Sequence, residues 1–238
     1  MSTQVTALVS EPSEPAADPT DANGAVQYRL SRNIVVLSDP EGERAESIRA
    51  LRAHLLAGHM AHGRRSLAVC GAGQDSGGTF LAVNLAVAFA KAGISTLLID
   101  ANLHDAGVSD YLRPDHPLPG LSEVLNQHER IDFDNVQSEV IPNLSILYSG
   151  TSTRNSTEAF ASREFKRLID DCMRDHEITI VNTPAGHSAA DVRRIAKSVR
   201  YALVVARKDH TRMSELRALV EELDSDRVNV IGTFLADF

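Results

Sequence analysis

Three short stretches carry residues whose types and spacing suit phosphate chemistry. In "CGAGQDSGGTFLAVNLAVAFAKAG", residues 70–93, an apolar run at 66–70 meets a glycine-rich turn that opens a helix at Gly77 or Gly78. Backbone amides in such a turn, at the N-terminus of a helix, can cradle an anion. A nucleotide loop of this kind continues Gly-Lys-Ser/Thr, with the lysine on the β- and γ-phosphates. Here the step is Gly77-Gly78-Thr79, so the cation is missing. A second apolar run, in "LLIDANLHD", ends on Asp100, and a third, in "ITIVNTPAG", ends on Asn182. Magnesium held with a nucleoside triphosphate wants carboxylates at such places, because it prefers hard, anionic oxygens. Of these two run ends, only the one at Asp100 supplies a carboxylate.

The elements that must position these residues alternate in type. Strand-like runs fall at 66–70, 95–100, 144–148, 178–182, 201–207 and 228–235. Between them lie helical repeats: Phe165, Leu168, Ile169 and Cys172 share one face after a Ser162 cap, and Leu216, Leu219, Val220 and Leu223 share another after Thr211. This pattern predicts an α/β fold, a mostly parallel sheet with helices on both faces. Ligands of such sheets sit at the carboxyl ends of the strands, where all three stretches end. Residues 1–27 contain Pro12, Pro15 and Pro19 and little to bury, and are expected to form a disordered acidic tail ahead of one domain at 28–238.

Composition excludes several classes. The chain has 238 residues, 43% apolar and 24% charged, enough for one substantial core. It carries 32 acids against 24 Lys and Arg, a net charge of -8, and Glu11, Glu14, Asp18 and Asp21 precede any base. That balance disfavours a nucleic-acid partner, which needs a basic face. The apolar stretch at 81–90 contains Asn84 and is too short to span a bilayer, and no secretion signal is expected at the start. Cys70 and Cys172 are expected as reduced core residues of a cytoplasmic protein.

On these motifs the chain, over roughly 38–235, resembles the bacterial tyrosine kinases of capsular and exopolysaccharide synthesis. These are a branch of the P-loop ATPases related to the cell-division and plasmid-partition ATPases. Counting back from "VNLAVA" places Gly78 on the family's loop lysine, Thr79 on its magnesium-binding hydroxyl and Gly77 on the preceding glycine. The second family motif, Asp-x-Asp-x-Arg, is matched by Asp100-Ala101-Asn102-Leu103-His104, and the third, Asp-x-x-Pro, by Asn182-Thr183-Pro184-Ala185. The partition ATPases carry a signature lysine where Gly73 stands. "GLSEVL" at 120–125, "IPNLSILYSG" at 141–150 and Asn155 fit the same template.

The departures from the template set the functional expectation. Lysine replaced by glycine, and two of three site aspartates by Asn102 and Asn182, remove the charge that positions a phosphoryl group. The family's tyrosine-rich autophosphorylation tail has no counterpart among Tyr28, Tyr111, Tyr148 and Tyr201, and Ala236 stands where an asparagine near the base is usual. The resemblance therefore implies a catalytically degenerate, pseudokinase-like regulator or scaffold with no required cofactor and no metal. Gly73, Gly77, Gly78, Thr79, Asp100, Asn102 and Asn182 would be its vestigial nucleotide site, taking at most weak ATP, ADP or phosphate. The alternatives are an active atypical autokinase or ATPase of the same pathway, and a small-molecule or nucleotide sensor. The resemblance also implies recruitment to the inner face of the plasma membrane by the cytoplasmic tail of a membrane-anchored polysaccharide co-polymerase.

Glu46, Arg49 and Arg52 repeat the family's Glu-x-x-Arg-x-x-Arg pattern, which packs one subunit against the next, so a homo-oligomer is expected. Outside that context the pattern reads as a solvated helix face. His54, His59 and His62 lack a carboxylate or cysteine framework and are expected on a surface helix end rather than on a metal. Ser76 lacks the glycine spacing of a nucleophile elbow.

Overall fold

A computed structural model describes residues 26–105, 107–126, 135–150, 156–185 and 189–237. In chain order the elements are β1 (Tyr28–Leu30), α1 (Val35–Ser38), α2 (Glu43–Gly58), β2 (Ser66–Gly71), α3 (Gly78–Lys91), β3 (Thr96–Asp100), β4 (Leu112–Pro114) and α4 (Leu121–Asn126). They continue with β5 (Gln137–Ile141), β6 (Leu144–Leu147), α5 (Ser156–Ala161), α6 (Arg163–Asp175), β7 (Ile178–Asn182), α7 (Ala189–Val199), β8 (Tyr201–Arg207), α8 (Met213–Ser225) and β9 (Asn229–Ala236). Among the described residues seven strands form one sheet in the order β5-β6-β3-β7-β2-β8-β9. Every pairing in it is parallel except β5 on β6. A separate antiparallel ribbon joins β1 to β4.

The pleat divides the sheet between two cores. Leu67 and Val69 of β2 point to the side covered by α1, α2 and α3, while Ala68 and Cys70 point to the side covered by α4, α6, α7 and α8. Alternate side chains of a strand face opposite ways, and both faces are covered, so β2 is buried throughout. Apart from Thr79 and Lys91, every residue of α3 is buried, because α3 lies between the sheet and α2. Such a helix is apolar all round rather than amphipathic.

The Ser162 cap is present: its hydroxyl accepts from Phe165 N at 3.1 Å. The cap expected at Thr211 is not. Helix α8 starts one residue later, with Arg212 at the N-cap, and Glu215 Oε2 accepts from Arg212 N at 3.1 Å. Thr211 instead turns its hydroxyl back to accept from Arg207 N at 2.9 Å, closing the loop after β8. Both cysteines are buried and reduced, and burial pushes the thiols of Cys70 and Cys172 up to about 12. Asn155 and nearly all of the expected tail lie outside the described residues.

Candidate functional site

The three motif-bearing stretches meet at the carboxyl ends of β2, β7 and β3, which are neighbours in the sheet. Asp100 stands opposite Asn182 in the β3–β7 register, and Asn182 opposite Val69 of β2. After β2 the chain turns through Gly73 (φ 90°), Asp75 (φ 52°) and Gly77 (φ 88°), all left-handed. That region suits glycine and is tolerated by aspartate. Gly77 is the N-cap of α3, and its carbonyl accepts from Leu81 N at 3.0 Å. The loop thus has the shape of a phosphate cradle on a helix N-terminus.

Gly78 occupies the first helical position, and a Cβ placed there would meet only Gly71, at an ordinary 3.7 Å. A Cβ is therefore tolerated, and the backbone, which has no left-handed φ at Gly78, does not require glycine at this position. Thr79 is half-buried and packs against Gly107, where an added Cβ would lie 3.0 Å from its methyl group. Ser76 is 1% exposed, and its hydroxyl, which has no hydrogen-bond partner among the described residues, lies over Gly71. No described base stands beside it as it would beside a nucleophile.

Asp100 is fully buried, and its two oxygens are held from three directions. Oδ1 accepts from Asn182 Nδ2 at 3.0 Å and from Asn102 N at 3.2 Å, and Oδ2 accepts from Val108 N at 3.1 Å. Burial raises its pKa to about 6, against the lowering effect of those donors, Asn182 first. The Asn182 amide spends its N–H on Asp100, and its buried Oδ1 has no described partner. Asn102 turns its side chain away, accepting from Asp105 N at 3.1 Å in a local turn.

Two acidic neighbours were not singled out by sequence. Glu215 of α8 brings Oε2 within 3.1 Å of where a Cβ of Gly73 would stand, at the edge of the loop. It lies three residues past Arg212, the actual N-cap, whereas the sequence points to Thr211 as the cap and so hides the capping-box spacing. Asp191, nearly buried at the start of α7, lies 3.4 Å from His104 Nε2. A lone acid opening an amphipathic helix gives no hint of that contact.

On α2 the expected stripe divides. Arg49 pairs with Glu46 through Nε at 3.0 Å and also reaches Pro40 O, on an exposed flank. Arg52 turns inward and donates to Ala88 O at 2.9 Å, satisfying a carbonyl in the last turn of α3. The surface expected for the histidines holds for His54 and His62, which are exposed, and needs correcting for His59. His59 is 3% exposed; its Nε2 contacts Ser66 O at 3.0 Å and its ring meets Tyr201 edge-on at 4.8 Å. Among the described residues no group of three His, Cys, Asp or Glu side chains is placed to hold a metal ion. No helix of the described chain is long and apolar enough to cross a membrane.

No family model matches the chain. It is 28% identical over 211 residues to the tyrosine-protein kinase Ptk of Acinetobacter johnsonii, covering 88% of this chain and 28% of Ptk. It is 24% identical over 207 residues to the tyrosine-protein kinase YwqD of Bacillus subtilis, covering 87% of this chain and 86% of YwqD. The chain therefore spans about a quarter of the length of the larger relatives. The kinase domain of the Escherichia coli tyrosine kinase Etk superimposes with a TM-score of 0.78 at 25% identity, over 86% of this chain and 79% of that one. The septum site-determining protein MinD of Pyrococcus horikoshii, solved with Mg-ADP, gives 0.60 at 18% identity, over 72% and 69%. The chain is thus a relative of the bacterial tyrosine-protein kinases, built on the P-loop α/β fold that they share with MinD.

Proposed function

We propose that this chain is a catalytically degenerate tyrosine-kinase-like regulator or scaffold of bacterial capsule or exopolysaccharide synthesis. Its partner would be a membrane-anchored polysaccharide co-polymerase, and its working form a homo-oligomer. The observation that carries the reading is the state of Asp100: the one carboxylate left from the family's three is buried and occupied by the Asn182 amide, beside a loop without a lysine. These residues do not fit a magnesium nucleotide. An amide N–H points at the oxygen a cation would need, and Asp75 and Glu215 add negative charge at the loop where phosphates would sit. Phosphoryl transfer rests on positioning and electrostatic stabilisation, and the loop keeps the shape that serves the first without the lysine and second carboxylate that would serve the other. For assembly, Glu46 and Arg49 remain on an exposed flank, whereas Arg52 is committed to α3.

The test is a calorimetric titration of the purified chain with ATP and magnesium, followed by a phosphotyrosine assay. The expected outcome is no magnesium-dependent binding in the low micromolar range and no phosphotyrosine. Phosphotyrosine formed by the wild-type protein alone would replace this reading with that of an active atypical autokinase. Weak, magnesium-independent binding of ATP, ADP or phosphate is compatible with a scaffold, since the loop keeps its left-handed glycines and its helix N-terminus.

A further inference from the structure

The end of the sheet opposite the loop carries a row of basic side chains. Arg64 and Arg65 precede β2, Arg200 precedes β8 and Arg227 precedes β9, and these three strands are neighbours in the sheet. The β2–β8 register sets Ala68 beside Ala202, which brings the start of β2 level with Arg200. Asn229 N donates to Arg200 O at 2.9 Å, which ties the start of β9 to the same line. Lys197, exposed in the last turn of α7, adds a fifth cation just before Arg200. Arg65, Lys197, Arg200 and Arg227 are exposed, and Arg64 lies half-buried over the Tyr201 ring at 5.1 Å. None of the five makes an ion pair with another described residue.

The acids at this end offset the row only in part. Asp226 is paired with Arg193 at 2.5 Å and also feels the charge of Lys197, and Glu177 accepts from Ser95 N at 2.9 Å, while Arg64, Arg65, Arg200 and Arg227 have no described acid at ion-pair distance. Arg200 and Arg227 also hold left-handed backbones, φ 74° and 60°. A bulky side chain is uncommon there, and glycine or asparagine would be cheaper, so the choice of arginine twice calls for a reason outside the fold.

We propose that this edge, formed by Arg64, Arg65, Lys197, Arg200 and Arg227, is a docking surface for the anionic phosphates of a lipid bilayer. Heads spaced along three strands, about 5 Å apart per strand, meet a plane of phosphates better than a single one. The remainder of a chain with net charge -8 is repelled by the same bilayer, so contact would orient the molecule with the loop facing away. Polybasic surfaces bind anionic leaflets additively and lose the attraction in salt. The surface is separate from the loop, so the inference stands whatever the outcome for nucleotide binding.

The test is co-sedimentation of the full chain with vesicles of phosphatidylcholine alone and of phosphatidylcholine mixed with phosphatidylglycerol. Binding is expected only to the mixed vesicles, falling as salt is raised. The triple variant Arg65→Ser, Arg200→Asn, Arg227→Asn should bind at least about tenfold more weakly. Its melting temperature should be unchanged or higher, since asparagine tolerates the left-handed region. Equal binding to both vesicle types, binding to neither, or full binding by the triple variant would overturn the proposal. So would competition by free glycerophosphate at low millimolar concentration, which would indicate a pocket for single phosphates. A full chain with Glu11→Gln, Glu14→Gln, Asp18→Asn and Asp21→Asn covers the remaining case. Vesicle binding seen only in that variant would assign the row to the chain's own acidic segment instead.

Discussion

The glycine loop and the β3–β7 strand ends lie at the carboxyl ends of neighbouring strands, yet they hold different things. The loop keeps its shape: left-handed Gly73 and Gly77, and a helix starting at Gly78. The strand ends carry an amide where the family resemblance expects a second carboxylate, and Asn182 donates to Asp100. The difference follows from what each region holds up. The loop is the leading edge of α3, whose residues are buried on every side, so its backbone cannot relax without disturbing both the sheet and α2. A side chain at a strand end is under no such backbone constraint, and beside the buried Asp100 an amide that donates a hydrogen bond costs less than a second buried carboxylate.

The largest expected effect tests the structural half of that contrast. Asn84 is fully buried in α3: its Oδ1 accepts from Val36 N at 3.4 Å and its Nδ2 donates to Asn33 O and to Phe80 O, both at 3.0 Å. Asn84→Leu keeps the volume but strands Val36 N–H and Asn33 C=O. Chemical denaturation should show a loss of about 3 kcal/mol. A loss below about 1 kcal/mol would mean that the helix is not the constraint on the loop.

A smaller effect addresses the strand ends through pH. Asp100 has a folded pKa raised to about 6 from 3.8, so the native state binds more protons than the unfolded state between those values. Its contribution to stability is therefore full below about pH 4 and declines as pH rises through about 6, by up to roughly 2–3 kcal/mol. His59 acts oppositely in part of the window, because burial lowers its pKa and unfolding takes up protons as pH falls. The two separate by difference: wild type minus Asp100→Asn, measured by denaturant midpoints, should slope downward with pH across that range. A flat difference would show that the carboxyl is not desolvated.

Much of this arrangement was legible in sequence because it is periodic or glycine-marked. The runs at 66–70, 178–182 and 201–207 became strands at nearly those bounds, and the loop opened at Gly78. What was not legible depends on side chains meeting across the fold. Arg52 finds Ala88 O 36 positions away, and His59 folds under Tyr201, so both left the surface that helical spacing alone assigns them. The antiparallel β5 and the β1–β4 ribbon were also missed, since they are short and lack an apolar run. At the site, the positions of Asp100, Asn102 and Asn182 were readable, but the direction of the Asn182 amide was not.

The smallest expected effect on stability carries the sharpest statement about function. Gly77 and Gly78 are adjacent and chemically identical, but only Gly77 has a left-handed φ, 88°. Gly77→Ala should cost about 1–2 kcal/mol, the strain of a Cβ in that region. Gly78→Ala should change stability by less than about 0.5 kcal/mol, because its Cβ meets nothing closer than 3.7 Å and the helix favours alanine over glycine, and Gly78→Lys should cost less than Gly77→Ala because its backbone is not left-handed. The lysine would bring a cation to the loop and should strengthen binding of simple phosphates, read by calorimetry. It should not restore phosphotyrosine, because Asp100 stays bonded to Asn182 and no second carboxylate appears at the strand ends. If Gly78→Lys alone produced an active kinase, the loss would lie in the loop and not in the metal site. If Gly78→Lys with Asn102→Asp and Asn182→Asp were needed, the two regions would have degenerated together, the first keeping its fold because α3 requires it.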